Sequence, residues 1–315
     1  MASYLVTGGC GFIGGHLVRA LLADGHMVRV LDDLSTGSRA RVPAHVPIHE
    51  GSICDAHAVE TAMQDVDGVF HLAAIASVER CTQELVASHR VNLDGALEVF
   101  VRAAKMDVPV VYASSAAIYG AQSVFPITEA STPMPSSAYG ADKLGCEHHA
   151  HALALTRGLR SVGLRFFNVY GEGQDPASPY SGVISIFGSR LAEKRPVKIF
   201  GDGSATRDFV AVEDVVDAMM RCMGRLSQSA QAPESRSGCH KVFNVCTGVP
   251  TSVNTLFGLI ARIMDSDQVA DYEPSRPGEI HQSLGDPSSL VHWCDLPPAR
   301  PLSQGLADLF SGNLR

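Results

Sequence analysis

The residues best suited to chemistry in this chain are Tyr139 and Lys143, four apart, with Ser115 upstream and the run Gly8-Gly9-Cys10-Gly11-Phe12-Ile13-Gly14 near the start. On a helix, positions i and i+4 share a face, so the phenol and the ammonium can point into one site. A free phenol has a pKa of about 10 and is a poor base near neutrality, but a fixed positive charge nearby favours the phenolate. An isolated YxxxK is equally served by an exposed tyrosine beside a solvated lysine. Ser115 and the glycine run turn the reading towards proton transfer next to a bound nucleotide. Glycines at a strand-to-helix turn let the backbone approach a pyrophosphate, and the helix N-terminus adds unpaired N–H groups and a favourable dipole. The spacing is GxxGxxG rather than GxGxxG. The second apolar run ends in Asp32, close to the distance expected for the acid that hydrogen-bonds an adenosine ribose. A carboxylate there repels a 2′-phosphate, Asp33 adds to the repulsion, and no basic residue follows until Arg39, which favours NAD over NADP.

These residues need elements to hold them. Tyr4-Leu5-Val6 predicts a strand entering the glycine loop, and Ile13 to Ala23 has helical apolar spacing that stops at Gly25. Val28 to Leu31, Gly68 to Leu72 and Val108 to Tyr112 read as strands, with helices over Asn92–Lys105 and Tyr139–Leu155. Strand and helix alternating at this spacing predict parallel βαβ units and an α/β, doubly wound sheet. After Arg165-Phe166-Phe167-Asn168 the rhythm loosens, and a smaller lobe is expected from about residue 167. The periodic stretch Val212 to Met223 is expected to return to the main sheet, and the polar stretch Ser227 to His240 to be a surface loop.

At 315 residues the chain can bury a substantial core, and its formal charge of −8 argues against a general nucleic-acid or anionic-membrane binder. No apolar run reaches membrane-spanning length and no signal-peptide pattern opens the sequence. The eight cysteines are scattered without a CxxC pair, so free thiols in a reducing cytosol are expected and a structural zinc site is not.

Taken together, the GGCGFIG loop, Asp32, His71-Leu72-Ala73-Ala74, Asn92, Ser114-Ser115, Tyr139-Gly140-Ala141-Asp142-Lys143 and Arg165-Phe166-Phe167-Asn168-Val169-Tyr170-Gly171 resemble the extended short-chain dehydrogenase/reductase family. Within it the chain is most similar to nucleotide-sugar epimerases of the UDP-galactose 4-epimerase type, from residue 3 to about 290, and the GxxGxxG spacing is that family's form of the loop. The resemblance implies an NAD-binding Rossmann domain over 1–166 with a return segment near 208–245. A smaller mixed α/β lobe for the nucleotide sugar would span 167–207 and 246–315. It implies Tyr139 as catalytic acid/base, Lys143 as the group that holds the nicotinamide ribose, and Ser115 as the relay to the sugar hydroxyl. The cofactor would be met by Gly8, Gly11, Phe12, Ile13, Asp32, Asp33, Ser35, Thr36, Gly37, Ser52, Ile53, Leu72, Ala73, Ala74, Asn92 and Phe166. The UDP-sugar would be met by Val78, Asn168, Val183, Ile199, Phe200, Arg207, Arg276, Glu279 and Ser283. Relatives of this kind pair two helices per subunit into a homodimer, here Asn92–Lys105 and Tyr139–Leu155.

Some positions depart from the family. Ser52 stands where an acid often meets the adenine amine, Ala117 replaces a hydroxyl, and Cys246 replaces a glycine. Related dehydratases and decarboxylases carry a carboxylate in the segment after Ser115, whereas Ser114-Ser115-Ala116-Ala117-Ile118-Tyr119-Gly120 has none. That argues for an oxidise–rotate–reduce cycle at C4 of the sugar, in which NAD is kept. Ser283 falls where a bulky tyrosine would exclude a 2-acetamido group, so the acetylated UDP-sugars are expected beside the non-acetylated pair. A UDP-glucuronate epimerase, a keto-sugar reductase and a non-catalytic NAD- or UDP-sugar-binding regulator remain alternatives.

Overall fold

The computed structural model describes residues 1–174, 182–229, 238–275 and 280–311. Strand β1 (Ser3–Thr7) leads through the glycine loop into helix α1 (Phe12–Ala23), and β2 (Met27–Asp32) and β3 (Ile48–Glu50) follow. After α2 (Ala56–Ala62) comes β4 (Gly68–His71), then α3 (Val78–Gln83) and α4 (Leu85–His89). The helix expected from Asn92 begins instead as a wider π turn over Arg90–Gly95, which becomes α5 only at Ala96, running to Lys105. Such insertions in a helix often mark functional positions. Strand β5 (Val110–Ser115) is followed by the long helix α6 (Ala138–Arg157) and β6 (Arg160–Phe166). Ser137 caps α6, accepting the N–H of Gly140, and Gly158 ends it in the left-handed region at φ 73°.

Beyond Phe166 the chain makes β7 (Asn168–Tyr170), α7 (Val183–Ala192), β8 (Val197–Phe200) and β9 (Thr206–Ala211), then α8 (Val212–Ser229) and β10 (Cys239–Val245). The last elements are β11 (Pro250–Ser252), α9 (Val253–Ile263), β12 (Ala270–Glu273), α10 (Ser288–Cys294) and α11 (Leu302–Ser311). The loop expected over Ser227–His240 is therefore eroded at both ends. Polar Ser and Gln extend the exposed end of α8, while Cys239 and His240 pair with Arg160 and Ser161 of β6. Residues 230–237 lie outside the described residues.

Seven parallel strands form the main sheet in the order β10-β6-β5-β4-β1-β2-β3. Alternation along the strands feeds two cores. Val6, Val30, Phe70 and Val111 face the side of α1 and α8, while Leu5, Leu31, Val69 and Val110 face the side of α2 and α5. A sheet covered on both faces buries nearly every strand residue, which explains the almost continuous apolar runs. A three-stranded sheet (β11-β9-β7) and a parallel pair (β12-β8) enclose a third core around Phe187, Ile199, Phe209 and Leu256. The doubly wound α/β sheet and the smaller mixed sheets agree with the fold expected from the sequence. Among the described residues no helix is long and apolar enough to cross a membrane. The order reverses between β1 and β4, and in such sheets the crevice outside the carboxyl ends at this point takes the ligand.

Candidate active site

The glycine loop leaves β1 at that crevice. Gly8 has φ +71°, and a Cβ there would sit 2.6 Å from the amide nitrogen of Ala73. At Gly14 a Cβ would lie 2.1 Å from the carbonyl oxygen of Gly8, so the third glycine lets the helix close on the loop. Asp32 is buried at the end of β2, and its two oxygens accept the amides of Cys10 and Leu34, each at 2.9 Å. Its carboxylate thereby fixes the loop it faces. The cleft beyond is lined by Gly8, Gly11, Asp32, Asp33, Ser35, Thr36, Gly37, Ile53, Leu72, Ala73 and Ala74. The nearby cation Arg39 is turned to Glu50 at 2.7 Å. A backbone cradle that added Cβ atoms would fill, with carboxylates at the ribose end, fits NAD. Ser52 spends its hydroxyl accepting the Cys54 amide, leaving the adenine side to Ile53.

The floor of the cleft is the end of β4. Thr7 Oγ1 lies 2.8 Å from His71 Nδ1 and also receives the amides of Leu72 and Ala73, both at 3.3 Å. Burial pushes the His71 pKa down to about 3, with the charge of Lys143 adding, so the imidazole is neutral. Asn92, on the π turn, accepts the Ile75 amide at 2.7 Å and donates to the Ile75 carbonyl at 3.1 Å. It is a buried clamp on the loop after Ala74. Phe12 and Ile13 are half-buried in the first turn of α1, and Phe166 is packed in the main core.

The reacting residues come from β5 and α6. Ser115 ends β5, and its hydroxyl accepts the amide of Ala117 at 3.1 Å, closing the turn Ala116–Ile118. A Cβ at Gly140 would be 2.5 Å from the Ala117 carbonyl oxygen, so the start of α6 abuts the turn that follows Ser115. Lys143 is 3 % exposed; its Nζ donates to the Ala113 carbonyl at 2.9 Å and stands 5.8 Å from the centre of the Tyr139 ring. The i,i+4 geometry expected from the sequence is present, with the ammonium held between the phenol and the end of β5.

The proposed sugar-nucleotide residues are more dispersed. Asn168 is exposed at the start of β7, Val183 opens α7, and Val78 is exposed at the start of α3. Ile199 is 1 % exposed and packs in the third core, so its side chain is not available to a ligand; its strand neighbour Phe200 is half-buried. A bridge pairs Thr206 with Gln282, and the Ser283 amide donates to the Thr206 carbonyl, which brings Ser283 close to Arg207. Arg276 and Glu279 lie outside the described residues. A separate apolar cavity opens behind β9 and β10, bounded by α8, α10 and Pro297 to Pro301, away from Ser115 and Tyr139.

The model of the NAD dependent epimerase/dehydratase family matches residues 4–246. The chain belongs to that family. It is 34% identical over 311 residues to the UDP-glucose 4-epimerase of Mycolicibacterium smegmatis, covering 96% of each chain. Its fold is similar to that of the UDP-glucose 4-epimerase of Thermotoga maritima with UDP-glucose, at TM-score 0.90 and 35% identity, covering 99% of this chain and 100% of that one. It is also similar to the UDP-N-acetylglucosamine 4-epimerase of Methanobrevibacter ruminantium in complex with UDP-N-acetylmuramic acid, at TM-score 0.91 and 32% identity, covering 99% and 98%.

As a member of the NAD-dependent epimerase/dehydratase family, the chain is an NAD-dependent enzyme of the isomerase type, as its motifs implied. Sequence reasoning left out several residues of this epimerase-family site. Ile75, Arg80 and Val91 also line the cofactor cleft. Asp208, fully buried, receives the amides of Thr247, Gly248 and Gly285 and so ties β9 to two loops. Arg80 looks in sequence like half of a surface pair with Glu84, and it does form that pair at 2.9 Å. The partners of Asp208 lie about forty and more positions further along the chain, so its neighbours in sequence give no sign of its role.

Proposed function

We propose that this chain is a UDP-sugar 4-epimerase that interconverts gluco and galacto configurations. The observation that carries the reading is the Tyr139–Lys143 pair on the helix that abuts the turn after Ser115, with a glycine cradle suited to NAD at the end of β1 and no carboxylate between Ser114 and Gly120. Similarity to 4-epimerases over nearly the whole chain supports it. Gly8, Gly11, Asp32 and Leu72 to Ala74 would hold NAD, which when bound supplies reversible hydride acceptance at the sugar C4. Ser115 would hydrogen-bond the 4-hydroxyl and pass its proton to Tyr139, whose phenolate the buried ammonium of Lys143 stabilises. Arg207 and Arg276 would grip the diphosphate, for which a planar guanidinium is suited. With that anchor the keto sugar can turn and present its other face, and Tyr139 then returns the proton.

In this reading residues 1–166 and 208–245 serve the cofactor, and 167–207 with 246–315 serve the nucleotide sugar. Ser283 leaves room beside C2, so acetylated and non-acetylated UDP-sugars are both substrates. The free thiols fit a cytoplasmic enzyme, and the pairing of α5 and α6 with a second copy would make a homodimer. Incubation of the pure protein with UDP-glucose or UDP-N-acetylglucosamine, without added NAD, should give both epimers of each. No epimer from either sugar, or stoichiometric use of added NADH, would refute the reading.

A further inference from the structure

Behind Ser115 lies a group of buried polar side chains that the proton transfer does not use. Glu147 stands one turn beyond Lys143 on α6, on the same face. Its Oε1 accepts Ser114 Oγ at 2.5 Å and Arg165 Nε at 3.0 Å, and its Oε2 accepts Arg165 Nη2 at 2.7 Å. Lys143 and Glu147 therefore clip α6 to successive residues, Ala113 and Ser114, just before the reacting serine. The ion pair is 5 % exposed on each side. From its far end Arg165 Nη1 donates to Tyr119 Oη at 2.7 Å and to the Glu129 carbonyl at 3.2 Å.

The connection continues towards the sugar side. Tyr119 Oη donates to Asn244 Oδ1 at 2.7 Å, and Asn244 Nδ2 donates to the Ile127 carbonyl at 2.9 Å. The Ile127 amide donates to the Leu284 carbonyl, and the Asp286 amide returns to the Ile127 carbonyl. An unbroken series of hydrogen bonds thus runs from Ser114 to the residue after Ser283. The links from Ser114 through Glu147, Arg165, Tyr119 and Asn244 to Ile127 are buried, where an unmade partner is costly, so that part of the series has few alternative arrangements. Tyr119 is its middle member and needs a hydroxyl that both accepts from Arg165 and donates to Asn244; burial pushes its pKa up to about 12, which keeps the proton in place.

We propose that Tyr119, with Glu147, Arg165 and Asn244, is a positioning residue that holds the Ser115 turn and the Ser283–Asp286 wall in one register. The inference rests on the epimerase reading. In that reaction the sugar turns between two half-reactions, while the proton-transfer groups and the wall must stay put. Misplacement by about 1 Å can lower a rate a hundredfold.

The test is Tyr119→Phe, which keeps the ring and removes only the hydroxyl. We expect kcat to fall about ten- to a hundredfold with KM for the UDP-sugar and bound NAD unchanged. Amide hydrogen exchange should rise together at Ser115–Tyr119 and at Leu284–Asp286. A kcat within twofold of the parent, or exchange that rises in only one segment, overturns the proposal even if the melting temperature falls. Ser114→Ala, at the other end of the series, is measured the same way and decides the matter if the first variant does not fold. If the parent protein epimerises nothing, the functional reading has failed, and the paired exchange response alone judges the coupling.

Discussion

Acid should loosen this protein through two buried neutral histidines, one of them in the floor of the cofactor cleft. Burial, with Lys143 adding, lowers His71 from the usual 6.5 to about 3. Burial, with His151 and Arg165 adding, lowers His240 to about 4. Below pH 6.5 the unfolded chain therefore binds protons that the folded chain refuses. Stability is full above 6.5 and is lost as pH falls from there towards 4 and 3. At pH 5, about 1.5 units below the unfolded value, each histidine withdraws about 2 kcal/mol, or about 4 kcal/mol for the pair. For a chain of 315 residues that is roughly 6 °C in Tm. The assay is thermal unfolding of the NAD-bound enzyme between pH 7.5 and 5, in the parent and in His71→Gln, His240→Gln and the double variant. The quantity read is the slope of Tm with pH, because burying Gln changes stability at every pH. Asp208 and Asp214, raised by burial, act with the opposite sign at lower pH and are common to all four proteins. Removal of both histidines should flatten the slope. A double variant with the parent's slope would refute the reasoning.

Three further outcomes are expected. Gly14→Ala places a Cβ 2.1 Å from the Gly8 carbonyl oxygen, and should lose about 1–3 kcal/mol together with most of the bound NAD, read by unfolding and by cofactor content after desalting. Tyr139→Phe should lower kcat about a hundred- to ten-thousandfold while UDP binding, followed by calorimetry, is retained. Ser283→Tyr should cut turnover of UDP-N-acetylglucosamine at least about tenfold and spare UDP-glucose, checked by chromatography of the epimers.

What could be read from the sequence was what spacing encodes. The glycine loop, Asp32, Ser115 and the Tyr139–Lys143 pair each lie within one turn or one strand end, and the alternation of elements puts the ends of β1, β2 and β5 on the carboxyl side of one parallel sheet. The rest depends on partners remote in sequence. Nothing in Arg90 to Gly95 announces a π turn, because Asn92 needs the Ile75 main chain to make it useful. Ile199 faces inwards because β8 pairs with β12, seventy residues later, and the alternation of Val197 to Phe200 alone does not say which face is covered. Glu147 looks like one more polar residue of a long helix until β6 supplies Arg165. The polarity of Ser227 and Gln228 predicts a loop because polarity marks exposure, and the end of a surface helix is just as polar.

Strand β10 has a consequence for how the chain comes together in time. It lies at the edge of the main sheet, beside β6, yet the segment from Asn168 to Ser229 with its own strands and helices intervenes in sequence. During synthesis the cofactor sheet must wait with β6 unpaired on one side until Cys239 to Val245 emerge. The same wait leaves Arg165 and Tyr119 without Asn244. Pairing over such separations is slow, and an open edge meanwhile offers itself to other chains. A nascent chain stopped before Val245 is therefore expected to be prone to association through the open side of β6, which Cys239 to Val245 cover in the finished fold.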